Sequence, residues 1–189
     1  MTFEADTERV YPVPDEPATM IEATLCFPLR DVGGTEEVLL IEKRRGLGEG
    51  WYNGPGGKLE GEETPRECAV RETREEVGLE IDPADLEKAG ELEFRLDGDR
   101  HTFCHVFRTR QFAGEPHPSE EAYPEWFAVD DVPYDRMWED DRLWLPAVLE
   151  GETVVGEFRF VGGKPLDEAE FAGHDLERDV DFDAIGRSR

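Results

Sequence analysis

The sequence predicts an α/β fold, and three observations lead to this prediction. Apolar segments of strand length recur along the chain, a helix with strong capping signals follows a glycine-rich loop, and 189 residues suffice for one domain with a sizeable core. Strands and helices are therefore interspersed, as they are in α/β proteins. We assign residues 19–162 to the folded domain, residues 1–18 to a polar, acidic N-terminal arm and residues 163–189 to an acidic C-terminal tail.

The first predicted elements are two strands and a long loop. Residues 21–29 and 37–42 are mainly apolar, which favours strands, and the segment at 31–35 joins them through two glycines. Residues 44–57 contain six glycines and one proline. This composition is typical of a long functional loop.

A helix over residues 65–77 is predicted from the chemistry of its two ends. Thr64 and Glu67 form a capping box, with Pro65 at the first helical position, and such a cap contributes about 1 kcal/mol. Gly78 is placed to end the helix in a left-handed conformation. Helical spacing gives an apolar stripe that should face the core: Ala69, Val70, Thr73 and Val77.

The segments after this helix are mostly strands. A hairpin is expected across the turn at 97–99, and Pro146 is expected to bend the later helix or to confine it to short turns. The predicted elements are strands at 86–96, 100–109, 123–129 and 154–161 and a helix at 140–149.

Three glutamates on the predicted helix indicate a metal site. Glu72, Glu75 and Glu76 share one stripe through their i, i+3 and i+4 spacing. Two carboxylates about 5 Å apart repel by roughly 3 kcal/mol at an effective dielectric of about 20, and a cation between them removes this cost. Carboxylate oxygens suit Mg²⁺ or Mn²⁺, and Arg71 is placed to hold one glutamate by a charge-assisted hydrogen bond. The alternative is a solvated acidic face on a surface helix.

The pattern around these glutamates is more specific than the glutamates alone. Residues 57–79 read G-x5-E-x7-R-E-x-x-E-E-x-G-L with every fixed position in register, and they resemble the box that defines the Nudix hydrolases. Thr73 is the one weak position, since the family usually carries an aliphatic residue there. The resemblance implies an α/β/α sandwich around a mixed sheet. It also implies cleavage of a nucleoside diphosphate that is linked to another moiety.

The same resemblance implies roles for particular residues. Its metal-binding glutamates correspond to Glu72, Glu75 and Glu76, a backbone carbonyl near Gly57 often joins them, and Glu63 lies near the site.

Two flanking segments narrow the resemblance to the oxidised purine nucleoside triphosphate hydrolases, the 8-oxo-dGTP diphosphatase type. They are residues 43–58 and 133–146, and the similarity extends from about residue 24 to about residue 161. In that subfamily an asparagine hydrogen-bonds the base, a tryptophan stacks on the purine and two adjacent aspartates read its polar edge. The matching residues here are Asn53, Trp138, Asp140 and Asp141.

The chemistry of a guanine-like edge agrees with these assignments. Its N1–H and exocyclic amine need carboxylate or carbonyl acceptors, an amide can both donate and accept, and stacking on an aromatic ring contributes roughly 1–3 kcal/mol. Two adjacent carboxylates can share a proton, because like charges raise one pKa. A shared proton would let the site accept more than one oxidised purine.

Each of these residues also has an ordinary structural explanation when taken alone. Asp140 or Asp141 would cap the helix that follows, Trp138 would be a core aromatic, and Asn53 would be a turn residue. Together, at matching positions relative to the box, they favour a purine pocket. Leu47 departs from the pattern, since the relatives carry an aromatic residue there, and this departure bears on the substrate more than on the reaction.

Three further residues are candidates for the site, one from the family resemblance and two from their positive charge. Glu121 matches a glutamate that approaches the metal site in many relatives, although a solvated loop acid is the alternative. Lys58 and Lys43 are candidates for contacts with the phosphates. Both Glu76 and Glu121 stay open as the general base.

Composition limits the partners of the protein. The chain carries 47 acidic against 21 basic residues, a formal net charge of −26 that would repel nucleic acid polymers and anionic membranes. The acid excess and the scarcity of lysine predict adaptation to a high-salt cytoplasm, as in a halophile, where about 1 M salt shortens the Debye length to about 3 Å.

Other sequence signals are weak or absent. Three widely spaced cysteines give neither a disulfide framework nor a zinc site, and the four histidines form no catalytic spacing. No signal peptide or apolar run of spanning length is found, so we expect a cytoplasmic protein.

The sequence therefore predicts a Mg²⁺-dependent hydrolase, with Mn²⁺ able to substitute. Its expected substrates are oxidised purine nucleoside triphosphates, its products a monophosphate and pyrophosphate, and its assembly a monomer or homodimer. One alternative is a Nudix pyrophosphatase on another nucleoside diphosphate derivative, such as ADP-ribose or a nucleotide sugar. The other is a non-catalytic nucleotide-binding domain, although such domains usually lose a box glutamate and this chain keeps all of them.

Overall fold

The computed structural model describes residues 20–163 and 168–185. Two α-helices, eight strands and three single-turn 3-10 helices are found in this part of the chain. The helices are α1 (Pro65–Val77) and α2 (Asp141–Leu149). The strands are β1 (Ile21–Val32), β2 (Thr35–Lys43), β3 (Tyr52–Asn53), β4 (Glu87–Leu96), β5 (Asp99–Thr109), β6 (Ala122–Ala128), β7 (Val154–Val161) and β8 (Glu170–Arg178).

The strands form one mixed sheet in the order β3-β2-β1-β5-β4-β7-β8, and β6 pairs with β2. The pairs β1–β5 and β4–β7 are parallel, whereas the other pairs are antiparallel. The glycine-rich loop leaves the end of β2, and α1 follows that loop. The loop and the helix therefore meet beside the central strand β1.

Two apolar cores lie on opposite faces of the sheet, because successive side chains of a strand point in opposite directions. On β1, Phe27 packs in one core with Trp144 of α2, at a ring-centroid distance of 5.9 Å. Its neighbour Cys26 packs in the other core with Ala69 of α1. Helices thus cover both faces, which confirms the predicted α/β fold with its α/β/α sandwich.

Most predicted elements are confirmed with small changes in their ends. β1 and β2 run further than predicted, because they continue as a hairpin to the pair Val32–Thr35. α2 continues through Pro146 to Leu149, so the proline does not reduce this segment to short turns. Neither of the described helices is long and apolar enough to cross a membrane.

The C-terminal segment differs most from the sequence prediction. β8, which lies in the segment assigned to an acidic tail, pairs with β7 along its length, and Phe182 beyond it is only 6% exposed. β8 carries few apolar residues because it is an edge strand with a solvated face, so its pattern gave no signal. The predicted N-terminal arm at 1–18 falls outside the described residues.

Candidate active site

The predicted capping of α1 is confirmed and fixes where its carboxylates lie. The Thr64 side chain accepts from the Glu67 N–H, the Glu67 side chain accepts from the Thr64 N–H, and Gly78 ends the helix at a φ of 76°. A side chain at Gly78 would be strained in this left-handed conformation. The predicted apolar stripe is also confirmed, with Ala69, Thr73 and Val77 buried.

Arg71 is the centre of an ion-pair network on α1. Its guanidinium donates to both oxygens of Glu63, at 3.0 Å and 2.7 Å. It also donates to Glu72 at 2.8 Å and to Glu75 at 3.3 Å, and to the Lys58 carbonyl at 3.2 Å. These bonds hold the pKa of Glu63 down, to about 2. Arg71 therefore fixes the helix to the loop that precedes it. The sequence predicted that Arg71 binds one glutamate, and in the structure it binds three.

Two of the box glutamates reach the glycine-rich loop. Glu76 is 4% exposed, and its Oε2 accepts from the Gly56 N–H at 2.9 Å. The Glu72 carboxylate occupies the space beside Gly57, where a Cβ would meet its carboxyl carbon at 2.4 Å. Gly57 thus leaves a cradle for this carboxylate, because no other residue type permits so close an approach.

Burial and like charges give these two glutamates an unusual protonation behaviour. Desolvation raises the pKa of Glu76 to about 7, and Glu72 and Glu121 act in the same direction. Desolvation also raises the pKa of Glu72, with Glu75 and Glu121 again adding to it. The carboxylates are close enough to repel one another. The sequence analysis predicted a bound cation on the basis of this repulsion.

The remaining candidates at this end of the site are brought together only in part. Lys43 is half-buried and acts electrostatically on Glu76, lowering its pKa. Glu121 is exposed and forms an ion pair with Arg45 of the glycine-rich loop. Lys58 is exposed, but its backbone lies between Gly57 and the network of Arg71.

The carboxylate oxygens of this site suit a divalent metal chemically, although they are not assembled into a complete set of ligands. No three His, Cys, Asp or Glu side chains of residues 20–163 and 168–185 are gathered as a ready set of ligands. However, Glu72 and Glu76 offer hard oxygens that repel one another beside the Gly57 cradle, and such oxygens suit Mg²⁺ or Mn²⁺. The Gly57 carbonyl accepts from the Thr24 N–H at 2.8 Å, and its role as a metal ligand stays a prediction.

A cavity of about 540 Å³ begins at the glycine-rich loop that contacts these carboxylates, and it extends along the sheet. Gly56, Gly57 and Lys58 line the end near the carboxylates, and the predicted base-binding residues line the rest. These are Asn53, Trp138, Asp140 and Asp141, accompanied by Leu47 and by apolar side chains of β1, β4 and β7. The cavity therefore joins the two groups of residues that the sequence placed far apart.

The two adjacent aspartates are buried, at 2% and 3% exposure, and neither caps α2 with its side chain. Asp140 Oδ2 accepts from the indole N–H of Trp144 at 3.0 Å. Asp141 Oδ2 accepts from the backbone N–H of Trp138 at 3.0 Å. Burial raises the pKa of Asp140 to about 6. Burial also raises the pKa of Asp141 well above its usual range, and repulsion from Asp140 acts in the same direction.

Trp138 is half-buried at the cavity wall and is not a core residue. Its ring packs edge-to-face with Trp51 at a centroid distance of 4.9 Å, and Gly48 lies against it, since a Cβ there would be 3.4 Å from the indole. Asn53 lies where both of its sequence interpretations, a turn residue and a residue of the purine pocket, can hold. Its Oδ1 accepts from the Gly54 N–H at 2.8 Å, as in a turn, and the residue also lines the cavity.

The sequence did not reveal several partners of these residues. Trp144 donates to Asp140 from four residues further along the chain. This i, i+4 spacing is a local pattern from which the contact could have been predicted. Arg45 pairs with Glu121 across 76 positions of sequence, and no local pattern announces such a contact.

Comparison with known proteins adds a family match to this geometry. The chain matches the family described as NUDIX domain over residues 20–148. It is 42% identical over 126 residues to the oxidized purine nucleoside triphosphate hydrolase of Danio rerio, an alignment that covers 66% of this chain and 80% of that protein. The protein of the same description from Mus musculus is 39% identical over 126 residues, with 66% of this chain and 80% of that protein covered.

A solved structure shows the same fold. The crystal structure of a mutator MutT protein from Bacillus halodurans superimposes with a TM-score of 0.68 at 24% identity. The superposition covers 84% of this chain and 98% of that chain.

Proposed function

Because this chain belongs to the Nudix hydrolase family, we propose that it hydrolyses oxidised purine nucleoside triphosphates to a monophosphate and pyrophosphate. This activity would remove damaged nucleotides from the nucleotide pool. Nudix hydrolases generally use a divalent metal, and we assign Mg²⁺, with Mn²⁺ able to substitute, from the hard oxygen donors on α1.

The observation that carries the proposal is the shared cavity. Trp138, Asp140 and Asp141 line the same space of about 540 Å³ as Gly56 and Gly57, which contact the box glutamates. A purine placed beside the tryptophan would therefore direct its triphosphate toward Glu72 and Glu76. A Nudix enzyme without a purine substrate has no need of two buried aspartates at this position.

At the phosphate end, the protein holds its charges in fixed positions. When bound, a divalent cation would neutralise charge on the phosphate oxygens and activate water. Glu72, Glu75 and Glu76 are the residues that would hold it. Arg71 positions Glu72 and Glu75, while the Gly56 N–H fixes Glu76. The binding geometry is thus largely preorganised, which reduces the cost of ordering these side chains in the reaction.

Positive charges and a proton acceptor complete this end of the site. Lys43 and Lys58 flank the carboxylates and would meet the phosphate oxygens of the substrate. Glu76 and Glu121 are the two candidates for accepting the proton of water. Glu121 must first leave its ion pair with Arg45, whereas Glu76 is already held beside the loop.

At the base end, the two aspartates supply one acceptor and one donor. Burial and their mutual repulsion raise the pKa of both adjacent carboxyl groups, which favours one proton shared between them. The ionised aspartate would accept N–H bonds from a guanine-like edge, and the protonated one would donate to a carbonyl or ring nitrogen. Trp138 supplies the stacking face and the Asn53 amide adds a donor.

A panel of nucleotides with Mg²⁺, assayed at high salt by release of pyrophosphate, tests the proposal. We expect oxidised purine triphosphates to be turned over with a higher kcat/KM than normal purine triphosphates. Equal turnover of the two classes would remove the proposed role in the nucleotide pool. Preference for ADP-ribose or a nucleotide sugar would support the main alternative, and binding without turnover would support a non-catalytic domain.

Several broader expectations stay predictions. They are a cytoplasmic location, adaptation to high salt, a monomer or homodimer, the absence of nucleic acid partners, and the division into arm, domain at 19–162 and tail.

A further inference from the structure

A second cavity, of about 850 Å³, lies on the sheet face opposite the catalytic cavity. Strand alternation separates the two: Thr102 and Cys104 of β5 line the catalytic cavity, whereas Phe103 and His105 line the second one. β4 and β7 complete the floor, and β8 forms a wall. No step of the proposed hydrolysis uses this cavity.

His105 is the unusual residue in this cavity. Its side chain is 9% exposed, and its Nε2 lies 2.7 Å from a carboxylate oxygen of Glu22. A carboxylate only accepts, so Nε2 carries the proton. Burial lowers the pKa of His105, which keeps the ring neutral and leaves Nδ1 as a bare acceptor.

The Nδ1 atom of His105 is buried and has no hydrogen-bond partner among the described residues. Buried polar atoms are nearly always paired, so such an atom calls for an explanation. Because Nδ1 is an acceptor, only a group that brings an N–H or O–H donor can satisfy it. A carboxylate has no such hydrogen to offer at neutral pH.

The charges around the cavity select among possible donors. Its lining contains five acidic side chains, at 91, 93, 157, 175 and 177, and two basic ones. Both basic side chains are already paired, Lys88 with Glu91 at 2.5 Å and Arg100 with Glu93 at 3.0 Å. From outside the lining, Arg95 and Arg159 pair with Glu93, Glu157 and Asp175, so Glu177 is the one lining acid that has no ion pair among the described residues. The cavity thus favours a cation.

The apolar surface of the cavity sets the size and nature of that cation. Phe103 packs edge-to-face with His105 at a centroid distance of 5.0 Å, and Val155 and Leu176 add aliphatic surface. A bare metal ion would leave this surface and most of the volume unused, and no three ligating side chains of the described residues are gathered there. A hydrocarbon chain that ends in an ammonium group matches both features.

We propose that this cavity is a binding site for a small aliphatic amine, whose ammonium donates to Nδ1 of His105 while its chain lies along Phe103, Val155 and Leu176. Glu177, which has no ion pair among the described residues, balances its charge. Because Nδ1 is itself covered, the amine reaches it with a small side-chain movement at the cavity floor.

Calorimetric titration of the full chain with 1,4-diaminobutane, at constant ionic strength, tests this site. We expect saturable binding with one amine per chain. n-Butylammonium and tetramethylammonium carry the same single charge, but only n-butylammonium has an N–H, so tetramethylammonium should bind at least tenfold more weakly than n-butylammonium. Equal binding of the two cations, or no saturable binding at millimolar diamine, overturns the proposal.

Two substitutions at one position separate the acceptor from the rest of the ring. His105→Asn keeps an acceptor near the place of Nδ1, whereas His105→Gln keeps a donor toward Glu22 and removes that acceptor. We expect at least a tenfold loss of diamine affinity in His105→Gln and a smaller loss in His105→Asn. The reverse order contradicts the assignment of Nδ1.

A measurement on the unsubstituted protein covers the case in which a variant does not fold. The ¹⁵N resonance of His105 Nδ1 should shift on addition of diaminobutane and should stay unchanged with tetramethylammonium. An unchanged Nδ1 resonance at saturating diamine refutes the contact. Nucleotide is absent from these titrations, so their outcome is independent of the proposed hydrolysis.

Discussion

The buried carboxylate of Glu76 accepts a hydrogen bond from the backbone N–H of Gly56, at 2.9 Å. This contact joins the box helix to the glycine-rich loop, and the same loop continues into the cavity that holds Trp138 and the two aspartates. The loop therefore connects the carboxylates of the proposed metal site to the residues proposed to bind the base. A Glu76 that did not reach the loop would leave the helix free to shift relative to the base.

Glu76→Gln should abolish most of the hydrolysis. The change removes a negative charge from the proposed metal site but preserves the acceptor for the Gly56 N–H. Metal assistance is worth several kcal/mol, so we expect kcat to fall by a factor on the order of 100 to 1,000. Pyrophosphate release with Mg²⁺ measures the effect. Glu80→Gln, an exposed glutamate just beyond α1, is the matched control and should keep normal activity. Unchanged activity in Glu76→Gln would falsify the metal-site assignment.

Arg71→Lys should weaken the use of Mg²⁺ rather than the recognition of the base. A lysine cannot donate at once to Glu63, Glu72 and Glu75, because it lacks the guanidinium fork. Loss of such a positioning contact typically costs about 10–100-fold in metal affinity or activity. The Mg²⁺ concentration that gives half-maximal rate should rise by that factor.

Arg74→Lys is the control for this change, since Arg74 is exposed in the last turn of α1. A rise in the Mg²⁺ requirement of equal size in both variants would show that loss of a guanidinium group on α1, and not the Arg71 network, is responsible.

Asp140→Asn should make the fold less sensitive to pH. Burial raises the pKa of Asp140 above its ordinary value, to about 6, so the folded state binds the proton more tightly than the unfolded state. The contribution of Asp140 to the free energy of unfolding is therefore fully present below about pH 4 and is lost as the pH rises through about 6. Asparagine keeps an acceptor for the Trp144 indole without this loss.

The stability of Asp140→Asn relative to the unsubstituted protein should therefore grow between pH 4 and pH 6 and then level off, by at most about 3 kcal/mol. Chemical denaturation at several pH values measures it, and kcat/KM for the purine substrate should fall. Asp135→Asn, at an exposed position, should show no such trend. A difference that is constant with pH would contradict the buried titration.

Trp138→Ala should weaken substrate binding, because it removes the ring on which the base is proposed to stack. Base–aromatic stacking contributes roughly 1–3 kcal/mol, so kcat/KM for oxidised purine triphosphates should fall about 5-fold to 150-fold. Trp138→Phe should recover part of the loss, because it restores a stacking face. If both variants lose the same activity, or neither loses any, Trp138 does not stack on the base.

Leu47→Phe should improve binding of oxidised purines. Leu47 is 45% exposed at the cavity, and an aromatic ring there would add a second apolar surface beside the base. We expect KM to fall by up to about tenfold, at the lower end of stacking energies because the position is open to solvent. Val32→Phe, at a position 50% exposed on the β1–β2 hairpin, controls for an added surface aromatic. A higher KM in Leu47→Phe would show that leucine is the better fit.

Local signals explain why much of the fold and site could be predicted. The capping box of Thr64 and Glu67 depends on residues three positions apart, and the spacing of the box glutamates lies within two turns of one helix. Strand β7 was predicted with its observed ends because its pattern alternates over its whole length. β8 was missed because an edge strand with few apolar residues has no such pattern.

The sequence by itself determined the capped helix and the carboxylates on it, because both depend on interactions or spacings within a few residues. The residues proposed to bind the purine came instead from the resemblance of two flanking segments to one subfamily. Only the tertiary structure decided which glutamate is buried against the loop, which side chain holds Asp140, and that Arg45 pairs with Glu121. Burial and long-range pairing are set by how the sheet brings distant segments together. The protonation of Glu76, Asp140 and His105 follows from that burial, so it too is a property of the folded chain.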